Sequence, residues 1–210
     1  MGISMNKIFL GLIAIAAMVI GIFTFKTITN LPSPEYALYY QQSRAIKPFE
    51  LIDHNGQHFT KEQFNDKWSL VFFGYTSCPD VCPTTLQNLG FIYDDLKAIA
   101  KNSQVLLVSV DPQRDSQEKL AQYIAYFNSE FIALSAGHEV LYPFARNMGL
   151  MYVISGEEDD YLVDHSASLV LVNPAGKIAA IFKPEQAVGK VPSIDSDKLL
   201  SDYQKIVALY

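Results

Sequence analysis

The run Trp68-Ser69-Leu70-Val71-Phe72-Phe73-Gly74-Tyr75 constrains this chain of 210 residues more than any other segment. It has no polar face, so it does not suit a strand with one side in water. It reads as a strand covered on both faces, which calls for helices packed against a partly parallel sheet. The next residues, Thr76-Ser77-Cys78-Pro79-Asp80-Val81-Cys82-Pro83, turn the chain, and a helical pattern follows over residues 84–100. Pro83 suits a first helical turn, where its missing N–H is not needed. Both cysteines of the chain lie in this strand-to-helix turn.

Other segments fit the same architecture. Residues 49–53 lead into His54-Asn55-Gly56-Gln57, where Asn-Gly favours the positive φ of a tight hairpin. Thr60-Lys61-Glu62-Gln63 is a capping box for a short helix. A second buried strand spans 105–110 and closes at Asp111-Pro112; Asp115-Ser116-Gln117-Glu118 then caps a helix through Phe127. A strand over 131–134 and a helix over 139–148 come next. Residues 151–155 and 161–165 flank the acidic tip at 157–160 as an inserted hairpin, its tip either solvated or a docking point. Strands at 168–172 and 177–182 pair across Asn173-Pro174-Ala175-Gly176, and a helix over 195–207 ends the chain. Strands alternating with helices predict an α/β domain with a mixed central sheet flanked by helices. The order of elements resembles a thioredoxin-like domain.

The cysteines carry the chemistry. Two of them are too few for a disulfide-stapled mini-protein or a four-cysteine zinc module. A disulfide, a redox pair and part of a metal site remain. Three residues separate them, wider than Cys-x-x-Cys but still close enough for a disulfide or for two thiolates on one ion. A helix start lowers thiol pKa values through unpaired amides and the helix dipole. Cys82, placed in the first turn, is therefore expected to ionise more readily than a free thiol, with Cys78 the more exposed sulfur. A metal site needs a third donor. His54, His58 and His138 fall at a hairpin tip and a helix start, where an ordinary surface role explains them. His165 sits just before a buried strand, in Val163-Asp164-His165-Ser166, and reads equally as a ligand or as a structural histidine. Met148 and Met151 are soft donors whose spacing reads as core packing.

Residues 8–25 are uncharged and mostly apolar, bracketed by Lys7 and Lys26. That length is near the minimum for a membrane-spanning helix. Ala14-Ile15-Ala16 resembles a cleavage site, but the apolar stretch before it is short and continues past it. The expected organisation is a cytoplasmic N-terminus at 1–7, a single transmembrane anchor at 8–25, a linker at 26–46 and a folded domain at 47–210. The first 30 residues hold two lysines and no acid, so the remainder carries -8 within the chain's net -6. A bacterial inner-membrane anchor with a periplasmic domain fits that distribution. An acidic chain without clustered Lys/Arg is a poor nucleic-acid binder. Half the residues are hydrophobic, too many for a disordered chain.

Three motifs together, residues 73–83, Val110-Asp111-Pro112-Gln113-Arg114-Asp115 and Val163-Asp164-His165-Ser166, resemble the Sco/SenC family in order and spacing over about residues 47–208. Members are membrane-anchored copper proteins that serve cytochrome c oxidase assembly. The resemblance implies copper ligands at Cys78, Cys82 and His165, with Asp111 as an acidic neighbour. It also implies delivery of copper, as Cu(I) or Cu(II), to the dinuclear centre of oxidase subunit II. A further periplasmic copper chaperone and a thiol reductant are the other partners it suggests. Two thiolates and an imidazole suit copper, although zinc accepts the same set. A thiol-disulfide reductase acting through Cys78, a redox or copper sensor, and a peroxidase are the alternatives. Dithiol chemistry has no need of His165, so that residue separates the readings.

Overall fold

Strand β4 (Trp68–Gly74) is buried at every position, and the rest of the body is built around it. In this computed structural model, residues 5–29, 32–156, 161–186, 189 and 191–210 are described. The acidic tip at 157–160 lies outside the described residues. A helix α1 (Met5–Thr29) and a body beginning at Pro34 form two compact units. The side chains of α1 are described from Phe9 to Thr24, and all of those are exposed. Among the described residues no helix is long and apolar enough to cross a membrane.

The body begins with β1 (Leu38–Ala45), β2 (Leu51–Asp53) and β3 (His58–Phe59), followed by a single 3-10 turn (Lys61–Phe64) and β4. Then come α2 (Val81–Phe91), α3 (Tyr93–Ile99), β5 (Ser103–Ser109), α4 (Gln117–Phe127), β6 (Ile132–Ser135) and α5 (His138–Met148). The chain closes with β7 (Tyr152–Ser155), β8 (Leu162–His165), β9 (Leu169–Asn173), β10 (Lys177–Phe182) and α6 (Ser196–Leu209). Eight strands form one sheet in the order β1-β10-β9-β4-β5-β6-β2-β3. β4, β5 and β6 run parallel, and the other pairs are antiparallel. The sheet is mixed and flanked by helices, the thioredoxin-like order expected. β7 and β8 form a separate two-stranded sheet, the inserted hairpin.

Local chemistry explains most boundaries. Gly56 takes φ +81° in the β2–β3 turn, a conformation that costs glycine little. The capping box holds: Thr60 N–H donates to Gln63 Oε1 at 2.7 Å. Three expectations need correction. The linker expected over 26–46 ends earlier, because residues 38–45 are the edge strand β1, paired with β10. Its entry is pinned by Asp202, whose buried carboxylate accepts from the amides of Glu35 (3.1 Å), Tyr36 (2.6 Å) and Ala37 (2.8 Å). Burial opposes the charge on Asp202, but those amides outweigh it and hold the carboxyl below its usual pKa. The helix expected over 84–100 starts at Val81 and breaks at Ile92, next to Gly90, a poor helix former packed near the Phe127 carbonyl. Finally, α4 is capped by Ser116, which accepts from Lys119 N–H at 3.2 Å, and not by Asp115.

Candidate metal centre

β4 delivers the chain into the cysteine turn, and Cys78 N–H donates back to the Tyr75 carbonyl at 3.3 Å. Cys78 is half-buried, and Cys82, in the first turn of α2, is fully buried. Gly74 makes room for it. A Cβ at position 74 would lie 3.0 Å from Cys82 Sγ and 2.9 Å from the Phe72 ring. His165, at the end of β8, faces the pair. Its Nε2 is 3.3 Å from Cys82 Sγ, and its ring meets Phe72 and Tyr75 edge-on at centroid distances of 5.9 and 5.8 Å.

The two sulfurs and one imidazole nitrogen all lie within 4.8 Å of one another. Metal–sulfur and metal–nitrogen bonds of about 2.0–2.3 Å place donors roughly 3.5–4 Å apart around one ion, so the set fits a shared metal with little movement. Both cysteines are free thiols. A cleft of about 550 Å³, lined by Cys78, Val81, His165, Ser168, Lys183 and Pro192, opens beside them.

The expectation that Cys82 ionises more readily than a free thiol is overturned, and Cys78 is the acidic member of the pair. A hydrogen bond from the Cys82 thiol carries the Cys78 thiol down to about 4 against the cost of burial, with help from His165 and the amides of Cys82 and Asp80. Cys82 goes the other way: its hydrogen bond to Cys78 and its burial raise it far above a free thiol. The amide of the first helical turn that was expected to favour Cys82 belongs to Cys82 itself and points at Cys78 Sγ, 3.4 Å away. The helix start therefore serves the residue preceding it.

Asp111 stands outside the three-donor cluster. Its buried carboxylate accepts from Arg114 Nε at 2.5 Å and from the Tyr161 hydroxyl. A residue that sequence reasoning took for a helix cap, Asp115, is buried as well. It accepts from Thr76 N–H at 3.1 Å, Thr76 Oγ1 at 2.5 Å and Ser109 Oγ at 2.7 Å, tying the cysteine turn to β5. The signal was present: Asp115 and Ser116 are both capping residues, and one helix needs only one of them. The remaining histidines serve locally. His54 Nδ1 accepts from Ala133 N–H at 3.1 Å, His58 Nδ1 pairs with Glu50 at 2.5 Å, and His138 Nδ1 meets the Tyr152 hydroxyl at 2.9 Å. Met148 is core, as expected. Met151 is not: it is 72% exposed, because strand alternation turns its neighbour Tyr152 inward.

A family model described as SCO1/SenC matches residues 39–194. The SCO2-like protein of Rickettsia prowazekii is 30% identical over 180 residues, 81% of this chain and 88% of that protein. Among solved structures, copper-bound ScoI of Arabidopsis thaliana is similar at a TM-score of 0.70 and 30% identity, covering 78% of this chain and 98% of that one. BsSco, a member of the Sco family of cytochrome c oxidase assembly proteins with a disulfide switch, gives a TM-score of 0.62 at 21% identity. It covers 82% of this chain and 99% of its own, and at that identity the likeness speaks for the fold alone.

Proposed function

We propose, on the premise that this chain belongs to the SCO1/SenC family, that it is a copper metallochaperone: it takes copper on Cys78, Cys82 and His165 and passes it to an oxidase under assembly. The observation that carries this is the convergence of two sulfurs and one imidazole beside an open cleft. Thiolates select copper over hard cations, and a three-donor set leaves room for an acceptor's ligand to enter before a donor leaves. The recipient in this reading is the dinuclear copper centre of cytochrome c oxidase subunit II. Asp111 acts from outside the donor set, through the groups it holds. The test is anaerobic titration of the full chain with Cu(I) against a competing chelator. The reduced protein should retain one equivalent and the disulfide form none, since oxidation removes both thiolates. Retention by the oxidised form, or none by the reduced form, overturns the reading.

The lowered pKa of Cys78 favours a second reading, reduction of the acceptor's cysteines before loading. The Cys78 thiolate attacks the acceptor disulfide and releases one thiolate. Cys82, after giving up its proton, then attacks the mixed disulfide and frees the other. The acceptor gains two electrons, the Cys78–Cys82 pair loses them, and an external thiol reductant resets the pair.

Residues 8–25 serve in this proposal as a bacterial inner-membrane anchor, with the body in the periplasm. In support, the described side chains of α1 are exposed and largely apolar, and a helix apolar all round must be covered by lipid or protein. The protein should stay with membranes through carbonate washing. Release by osmotic shock, with a mature N-terminus after Ala16, contradicts the anchor.

A further inference from the structure

The hairpin β7–β8 shares no strand ladder with the eight-stranded sheet, yet it carries one of the three donors. Besides the short connections to α5 and β9, side-chain contacts across the site therefore help to set the distance from His165 to the sulfurs. Tyr161, immediately before β8, makes a set of polar contacts to the loop at 111–115. Its hydroxyl donates to Asp111, its carbonyl accepts from Arg114 Nη1 at 3.1 Å, and its ring lies 3.9 Å from the guanidinium carbon. The same guanidinium donates to Asp111 at 2.5 Å through Nε and lies 5.8 Å from the ring of Tyr75, three residues before Cys78. At the far end of the short loop 111–115, Asp115 grips Thr76 at the start of the cysteine turn. One loop thus holds the cysteine side of the site with one carboxylate and the histidine side with the other.

We infer that Arg114 and Tyr161 form a latch that holds the β7–β8 hairpin, and His165 with it, at metal-binding distance from the cysteines. They are positioning residues, and how long copper stays bound depends on them. The inference rests on the copper reading above, but the latch can be tested without metal. A guanidinium is suited to the task because its planar fork donates to a carboxylate and a carbonyl while its face covers an aromatic ring. A lysine in its place keeps the charge and loses the fork and the stacking. Outer partners of metal ligands change affinity by about 10–100-fold when removed, and the same range is expected for this latch.

The experiment compares Arg114→Ala, Arg114→Lys and Tyr161→Phe with the unaltered full chain. Tyr161→Phe keeps the ring against Arg114 and loses only the hydroxyl, so it remains informative if Arg114→Ala folds poorly. In the reduced, metal-free protein, amide hydrogen exchange in β7 and β8 should quicken about tenfold or more in Arg114→Ala and less in the other two. Exchange in β4 and β5 should hold, as should the Cys78–Cys82 disulfide midpoint. Loaded with Cu(I), Arg114→Ala should lose metal to a chelator about 10–100 times faster, with Arg114→Lys recovering part of the loss. Hairpin exchange unchanged in both Arg114→Ala and Tyr161→Phe overturns the latch, as does loss of protection spread equally through β4 and β5. If the unaltered protein retains no copper, the chaperone reading fails, while the exchange measurements still decide the latch.

Discussion

His165→Ala should abolish tight copper retention while leaving the Cys78–Cys82 pair able to close a disulfide and to react with small thiols. The imidazole is the donor that completes the set at 3.3 Å from Cys82 Sγ, and no other histidine joins the cluster among the described residues. Losing a direct ligand should cost more than the roughly 10–100-fold lost with an outer partner. Cys78→Ser and Cys82→Ser should each remove both copper binding and disulfide exchange, because each deletes a sulfur that both chemistries need. In cells at limiting copper, His165→Ala should lose oxidase activity as fully as the cysteine variants, with added copper restoring some. If His165→Ala cells keep near-normal activity while both cysteine variants fail, copper delivery gives way to thiol reduction as the essential act.

In the reduced native protein, alkylation should fall on Cys78 first, with a pH profile unlike that of an ordinary thiol. The folded-state pKa of Cys78 is depressed to about 4, so its thiolate persists above that pH and is lost only as pH falls through it. Its rate should be nearly flat from pH 5 to 8, where a free thiol of pKa about 8.5 gains close to tenfold per unit. The plateau should lie below that of an ordinary thiolate, since nucleophilicity falls with pKa. Cys82 is buried and pushed upward, so at pH 7 it should react about a thousandfold more slowly or less. Quenched alkylation read by peptide mass spectrometry checks both statements. An inflection near pH 8–9 for Cys78, or equal labelling of the two, would contradict the hydrogen-bonded pair described above.

The legible parts of this molecule are those where one physical signal dominates. A strand buried on both faces must be apolar throughout, and residues 68–74 are; a tight hairpin wants positive φ, and Asn55-Gly56 supplies it. The strand-to-helix turn made both cysteines candidates, but His165 read equally as a structural histidine, and only the family resemblance joined it to them; the structure brings the three side chains together. The misread parts are those where no single pattern of burial marks the element, or where two roles compete for one residue. β1 was taken for linker because an edge strand can be polar, and Leu-Tyr-Tyr-Gln-Gln-Ser-Arg-Ala has no alternation to betray it. The acidity of the two thiols depends first on the hydrogen bond between them and on their burial, which spacing alone does not reveal. Asp115 looked like a cap because Thr76, the partner that ties it to the cysteine turn, is distant in sequence and meets it only after folding.

The one-sided burial of the donors gives any hand-over a direction. Cys82 is fully buried against Gly74, whereas Cys78 and His165 line the cleft. On the proposed copper reading, an acceptor's ligand arriving through the cleft would meet Cys78 and His165 before the buried Cys82. On that reading the order of release is written into the packing of the donors, with the most deeply buried sulfur the last to be reached.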